Sequence, residues 1–563
     1  MRANVAGSAL AAVRMSGAPL AVAAAVRALG AGGILLVLGA ALGDWKTLGV
    51  AYLGAACSVA FAIDESYRGR VMALAAASAG AAVGIIVGGS TDHGSLLIVA
   101  VAMVAAAISG LVGAAGPHGP AFGMMLSIGV AFGQFGGSDL TPVTQAAWYL
   151  VGVAAVGLAQ VVDWPFRRGV LQQRTASDVF AAAADVCAKV GQPDAREARL
   201  RLMAASTAAQ RVGWSPMTAG VSYSAAAIYA EQRPVPREVV NSLRAAAEQI
   251  MCGQAVAVPI AWPTPTAGLR ALAAALDGSG ADESARNGRR IGEILARMRT
   301  PTAGLNAART ALCLGTATAV TVAVHDPHHS FWLPMTVSVI VRPEYASIVV
   351  RTINRVAGTI VGASVAAAVI SIWPSGIVVA LAASLGLGFA ALTAPKLYGL
   401  SVIGVTVSAL LSASVGGPDL VAPQIRLLDT VAGAAIAVVI GYVLWPGARR
   451  LPQQAHLDDG VAAAEAYLRE AAMPRESRTA FERRRDDAYR LAHDARSACL
   501  AAFAEPPPVP AKARAMLPYA EELEEIVDGI TDIAAVGQTE DPHLQVDRIQ
   551  RRLDDLRVAV SRS

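Results

Sequence analysis

Two long hydrophobic blocks of this chain end alike, one in Asp163-Trp164-Pro165-Phe166-Arg167-Arg168 and the other in Leu444-Trp445-Pro446-Gly447-Ala448-Arg449-Arg450. Superposing the blocks at an offset of about 280 residues aligns more than their endings. Arg27 falls on Arg309, Asp44 on Asp326 and Gly152 on Gly433. With a small gap, Ala79-Gly80-x-x-Val83-Gly84 falls on Ala357-Gly358-x-x-Val361-Gly362. A repeat built from membrane-length segments restricts the fold to two related helical lobes, with a pathway expected between them.

Composition agrees with a membrane setting. The 563 residues are 55% hydrophobic and 16% charged, with a mean hydropathy of +0.49. Soluble domains carry about a quarter charged residues. The net charge of +4 leaves no footprint for nucleic acid. Lysine stands only at Lys46, Lys189, Lys396 and Lys512, and the preference for arginine reads as a GC-rich bacterial coding bias. Five scattered cysteines form no CxxC pair, so neither a disulfide framework nor a metal knuckle is indicated. No P-loop, GxSxG, HExxH or dinucleotide fingerprint stands in a suitable context, so neither an enzyme nor a cofactor is expected.

A membrane crossing takes ~20 mostly apolar residues. The first block supplies six stretches, near 22–42, 47–63, 71–90, 94–114, 119–136 and 143–163. The second supplies six more, near 305–325, 330–342, 353–373, 375–394, 398–415 and 426–445, of which the one from Ser330 is short. Arg2 and Arg14 precede the first apolar run, which reads as an uncleaved first span. Arg14, Arg68, Arg70, Arg167, Arg168, Arg342, Arg351, Lys396, Arg449 and Arg450 gather on one side, and the positive-inside rule makes that side cytoplasmic. The predicted fold is therefore all-α: a polytopic membrane protein of about 12 transmembrane helices in two parallel six-helix repeats, plus two cytoplasmic helical domains. Residues 1–165 and 304–447 are the membrane repeats, and 166–303 and 448–563 the helical domains. The expected location is the bacterial inner membrane, with both termini cytoplasmic.

Charges within spans are costly, about 2.5–3.5 kcal/mol each on insertion scales, and so mark function or pairing. Arg27 and Arg309 sit at equivalent places in the first span of each block. They either snorkel to the interface or face one another to attract an anionic substrate, for which guanidinium offers a bidentate fork. Arg355 would join them as a third substrate-binding cation. Arg426 and Asp429 lie three residues apart on one helix face, as a local ion pair or, through Asp429, as a proton-coupling pair. Glu65 and Glu344 read as structural ion-pair partners near cytoplasmic arginines. His325-Asp326-Pro327-His328-His329 has no counterpart cluster in the other block, so a polar outer turn is expected there and not a metal site. Gly80-x-x-x-Gly84 and Gly358-x-x-x-Gly362 present small faces for close helix packing or a narrow pathway.

The run from Phe331-Trp332-Leu333-Pro334-Met335-Thr336 through Arg342-Pro343 into Arg355-Val356-Ala357-Gly358-Thr359-Ile360-Val361-Gly362 resembles the fusaric acid resistance-like, or aromatic acid exporter, family. Arg426-Leu427-Leu428-Asp429-Thr430 and the closing Trp445-Pro446 fit the same pattern, so 305–450 resembles it specifically. The first block departs from it. No Phe-Trp precedes its second span, Ala77 stands where Arg355 would fall, and Gln145 and Trp148 replace Arg426 and Asp429. Two tandem copies of the family are expected, the second clearer and the better place for substrate chemistry. The resemblance extends in outline to plant aluminium-activated malate channels, which join six spans to a cytoplasmic helical domain and act as dimers.

The resemblance implies export of small organic, aromatic, carboxylic acids from the cell. A proton gradient and passive permeation are both compatible energy sources. The alternatives are transport of a lipid-linked envelope precursor, which needs a polar opening towards lipid, and a non-transporting membrane scaffold. Beyond the bilayer and the organic anion, the partners expected are a second copy of the chain or an accessory membrane-fusion protein.

Overall fold

The computed structural model describes residues 20–59, 61, 67–91, 94–116, 118–136, 139–162, 169–257, 262–277, 295, 298–324, 331–341, 348–417, 419–445, 451–472, 478–504, 509–536 and 542–562. The Trp-Pro endings apart from Leu444 and Trp445, the His325–His329 run, Glu65 and Glu344 lie outside these residues. Among the described residues the chain is all-helical and no strand occurs.

Two compact units divide it. One comprises Met1–Trp164, Arg289–Arg449 and Ala504–Pro506, the other Pro165–Gly288, Arg450–Phe503 and Pro507–Ser563. Among the described residues the apolar unit takes six helices from each half of the sequence. The first half gives α1 (Val22–Leu42), α2 (Trp45–Val59), α3 (Tyr67–Gly89), α4 (Ser95–Val112), α5 (Gly119–Phe135) and α6 (Pro142–Val161). In the polar unit follow α7 (Val170–Lys189), α8 (Ala195–Val212), α9 (Pro216–Glu231), α10 (Arg237–Met251) and α11 (Ala267–Leu276). The second half gives the apolar unit α12 (Pro301–Val324), α13 (Trp332–Ile340), α14 (Ile348–Ile372), α15 (Ile377–Thr393), α16 (Tyr398–Ala413) and α17 (Ala422–Val438), the last widening into a π-helical turn over Val439–Val443. The polar unit closes with α18 (Leu451–Ala472), α19 (Arg478–Ala501), α20 (Val509–Val536) and α21 (Pro542–Arg562).

Among the described residues seven helices are long and apolar enough to cross a bilayer: α1, α3, α4, α6, α12, α14 and α17 with its π turn. The shorter α5, α15 and α16 are also apolar. These helices expose large hydrophobic side chains such as Leu96, Leu158, Leu385 and Leu428, which suits contact with lipid. The chain is a polytopic membrane protein. The short segment read from Ser330 folds as a nine-residue helix, about 14 Å long and half the hydrocarbon depth.

Packing repeats between the halves. α3 lies along α5 as α14 lies along α16, and α2 lies against α6 as α13 lies against α17. The first helix of each half stays against its own bundle and also packs on the other half: α1 on α15, and α12 on α4. Glycine makes the second crossing close, because a Cβ on Gly110 would stand 2.6 Å from the Cα of Ala307. Each half therefore contributes a helix to the other's wall.

In the polar unit, α7–α11 enclose a core with Phe180, Leu202, Leu243 and Leu272. α18–α21 enclose another with Tyr467, Leu523, Ile526 and Leu553. Hydroxyls start two of these helices: Ser215 accepts from the Thr218 N–H at 3.1 Å, and Thr266 from the Leu269 N–H at 3.3 Å. Arg199 makes a two-pronged ion pair with Asp528 across the two cores, its Nε 2.7 Å from Oδ2. Tyr489 donates to the same carboxylate at 2.9 Å, and Tyr223 donates to Asp486 at 2.6 Å.

Candidate functional site

α17 begins where Asp419 accepts backbone N–H groups of Val421 and Ala422, at 3.1 and 2.9 Å, with Pro423 in the first turn. One turn further in stands Arg426, 1% exposed. Its position towards the positive end of the helix dipole gives the cation no help from its own backbone. Compensation comes from α13. Trp332 and Thr336 are spaced i, i+4 and share a face. The Arg426 Cζ lies 4.1 Å from the Trp332 ring centroid, and Nη1 donates to Thr336 Oγ1 at 3.4 Å. The approach is close because Gly433 faces Thr336: a Cβ on that glycine would stand 2.9 Å from the threonine Cγ2.

Arg355 on α14 is 4% exposed, and its Nε has no hydrogen-bond partner. Arg355, Asp429 and the Tyr398 phenol all act electrostatically on Arg426. Asp429 is half-buried on α17. Four helices thus bring two guanidiniums, one carboxylate, an indole and a phenol into the interior of the second half. Arg355 repels the Arg426 charge and Asp429 attracts it.

The structure places the other two predicted cations apart in kind. Arg27 is half-buried and donates from Nη1 to Gln160 Oε1 at 3.0 Å, within its own half. Arg309 is fully buried on α12. It sits one turn before Cys313, whose thiol feels its charge. Next to it, Thr310 donates to the Ala106 carbonyl of α4 at 2.8 Å. The sequence equivalence of Arg27 and Arg309 therefore does not give them equivalent surroundings. At the offset of the repeat, Gln160 corresponds to Gly441.

The first half holds no copy of the cluster. At the positions of Trp332, Thr336, Arg355 and Arg426 stand Ala51, Ala55, Ala77 and Gln145, all buried. α2 and α6 close on one another there, and a Cβ on Gly152 would stand 1.6 Å from the Ala51 carbonyl oxygen. A groove of about 450 Å³ along α3, α4 and α5 is lined by apolar residues such as Val83, Leu97, Val104, Ile108 and Phe122.

Sequence reasoning named Arg355, Arg426 and Asp429 and quoted Trp332 and Thr336 only as motif. The i, i+4 spacing of those two was the available signal. Tyr398 carried none, because its place beside Arg426 depends on how α16 packs.

These features define a polytopic helical membrane protein with a buried guanidinium cluster in its second half. Residues 314–440 match the family model described as fusaric acid resistance protein-like. That match points to a membrane transporter of the fusaric acid resistance type and does not confirm a tandem second copy. The uncharacterized protein ORF2 of Neisseria gonorrhoeae is 28% identical over 143 residues, which is 25% of this chain and 34% of that protein. The uncharacterized protein YhfK of Escherichia coli K12 is 31% identical over 145 residues, 25% of this chain and 20% of its own length. The aligned region thus spans about a third of the first relative and a fifth of the second. No solved structure matches the chain.

Proposed function

We propose that the chain exports small organic carboxylates, aromatic ones among them, across the bacterial inner membrane, and that the second half carries the anion site. The observation that carries this reading is the Arg426 guanidinium, buried between Trp332 and Thr336 with Arg355 in electrostatic range. A planar guanidinium suits a carboxylate, and the indole beside it suits an aromatic ring. In this reading the polar unit lies in the cytoplasm together with both termini, which the arginine-rich loops support. The first half acts as the wall against which the second works.

Asp429 is the group placed to couple a proton, since its carboxylate acts on the same guanidinium that holds the substrate. Arg27 and Arg309 are secondary contributors that raise the positive potential towards the cytoplasmic end. Efflux of benzoate from cells expressing the chain tests the reading. Arg355→Gln should cut efflux at unchanged expression, and Arg309→Gln should cut it less. Unchanged efflux in Arg355→Gln removes that residue from the site. Asp429→Asn should leave efflux indifferent to the pH gradient, and retained dependence assigns coupling elsewhere.

A further inference from the structure

Hydroxyls in the helices of the apolar unit follow a local rule. Ser338, Thr352, Ser364, Ser371, Ser384, Thr393, Ser414 and Thr430 each donate to the backbone carbonyl one turn back. Such back-bonding is the cheapest way to satisfy a hydroxyl away from water. Thr321 on α12 breaks the rule, and so do the more deeply buried Thr359 on α14 and Thr406 on α16. The last two are 0% and 1% exposed, and neither Oγ1 has a hydrogen-bond partner. A buried polar atom left unpaired calls for a physical reason, and a transient ligand supplies one.

Both hydroxyls belong to one seam. Arg355 and Thr359 are spaced i, i+4 on α14 and so share a face. Thr406 faces the same helix, because a Cβ on Gly362 would stand 2.8 Å from the Thr406 Cβ. The orphaned Tyr398 phenol opens α16 two turns earlier, in range of Arg426. The polar atoms therefore run along α14 and α16 from the guanidinium cluster to the threonines.

The corresponding seam of the first half is packed a few tenths of an ångström more tightly. Added Cβ atoms on Gly80, Gly84 and Gly88 of α3 would stand 2.2, 2.4 and 2.3 Å from carbonyl oxygens of α5. The equivalent distances at Gly358 and Gly362 are 2.7 and 2.8 Å. Close contacts also fill part of the boundary between the halves. Phe331 packs edge-on to Phe132 at 5.6 Å, and the Tyr52 hydroxyl is satisfied by the Ala383 carbonyl and Ser408. A cavity of about 10 Å³ among Leu53, Met125, Phe132, Phe331 and Met335 leaves room for at most one water.

We propose that the anion pathway runs inside the second half, along the seam between α14 and α16, and not between the halves. Thr359 and Thr406 are positioning residues that donate hydrogen bonds to a partly dehydrated carboxylate after it leaves the guanidinium cluster. The cargo class rests on the function proposed above, but the location of the pathway does not.

Labelling by a negatively charged methanethiosulfonate in membranes holding the full chain tests the location. Thr359→Cys and Thr406→Cys should react about tenfold faster than Val365→Cys, which faces outward, with benzoate slowing both. Met335→Cys, at the boundary between halves, should react no faster than Val365→Cys. Fast labelling of Met335→Cys with inert threonine positions would overturn the proposal, and so would absence of labelling at all of these sites. Fast labelling of the threonine positions without protection by benzoate keeps the pathway and sinks the cargo reading. Thr359→Val supplies a check free of cysteine. It removes an unpaired hydroxyl at constant shape, so it should fold at least as well yet lower benzoate efflux about tenfold, with Thr359→Ser restoring it. Full efflux in a well-folded Thr359→Val would also contradict the proposal.

Discussion

The guanidinium of Arg426 lies over the indole of Trp332, with Cζ 4.1 Å from the ring centroid, and the two side chains come from helices α17 and α13. Trp332 is itself stacked on Phe331 at 4.3 Å, and Phe331 leans on Phe132 of the first half. The cation is thus held by an aromatic stack anchored in the opposite lobe. The ring and the Thr336 hydroxyl carry no charge of their own, so among the described groups acting on Arg426 the counter-charge comes from Asp429.

Removing the aromatic face should weaken the hold on that cation. A desolvated cation–π contact is worth about 2 kcal/mol. Trp332→Leu should therefore raise the KM for benzoate efflux by about tenfold or more, while Trp332→Phe should retain part of the effect. Arg426→Lys keeps the charge but loses the planar fork, and it should behave like a loss and not like the parent. Parental KM in Trp332→Leu would show that the ring only packs.

Helix contact in the first half should tolerate no side chain. Gly152→Ala places a methyl 1.6 Å from the Ala51 carbonyl oxygen, so α2 and α6 must part. Gly30→Ala meets nothing within 4 Å. Folded yield in detergent should collapse for the first and hold for the second. Equal yields would mean that the two helices are farther apart than described.

The polar unit should depend on one buried pair. Side chains of Arg199 and Asp528 are 6% and 4% exposed. Asp528→Ala leaves the guanidinium buried and uncompensated, which costs about 3–5 kcal/mol. Thermal unfolding of the whole chain should show that loss, and Arg199→Met combined with Asp528→Leu should recover most of it. A single variant as stable as the parent would remove the pair from the account.

Thiol chemistry checks the cores of the same unit. Burial pushes the Cys187 thiol up to about 12 and the Cys499 thiol up to about 11, whereas Cys252 is exposed. A raised thiol keeps its proton in the folded state after the unfolded chain has released it. Its contribution to stability is therefore whole below the free-thiol range of about 8.5 and drains as pH climbs towards 11. At pH 8, a thiol reagent should modify Cys252 and spare Cys187 and Cys499 until denaturant is added. Early modification of either buried cysteine would contradict the packing described.

Much of this architecture was legible in the sequence because lipid enforces it. Stretches read near 22–42 and 353–373 fold as Val22–Leu42 and Ile348–Ile372, since a backbone without water must close its own hydrogen bonds. Helix packing across the halves was not legible. Nothing local in Val22–Leu42 or Pro301–Val324 tells that each will also pack on the other half, as the close contacts of Gly110 and Gly388 show. At the site, Arg355 and Arg426 stood out as charges in apolar runs. Thr359 and Thr406 did not, because a threonine in a membrane helix is ordinary until its hydroxyl is found without a carbonyl.

The central claim is that a single anion site resides in the second half, at Arg426. Its sharpest test is benzoate efflux measured in parallel for the parent, Arg426→Gln and Gln145→Ala, each at matched expression. The account predicts a loss of about tenfold or more in Arg426→Gln and less than about twofold change at its first-half counterpart. Undiminished efflux in Arg426→Gln, or an equal loss in Gln145→Ala, would contradict it.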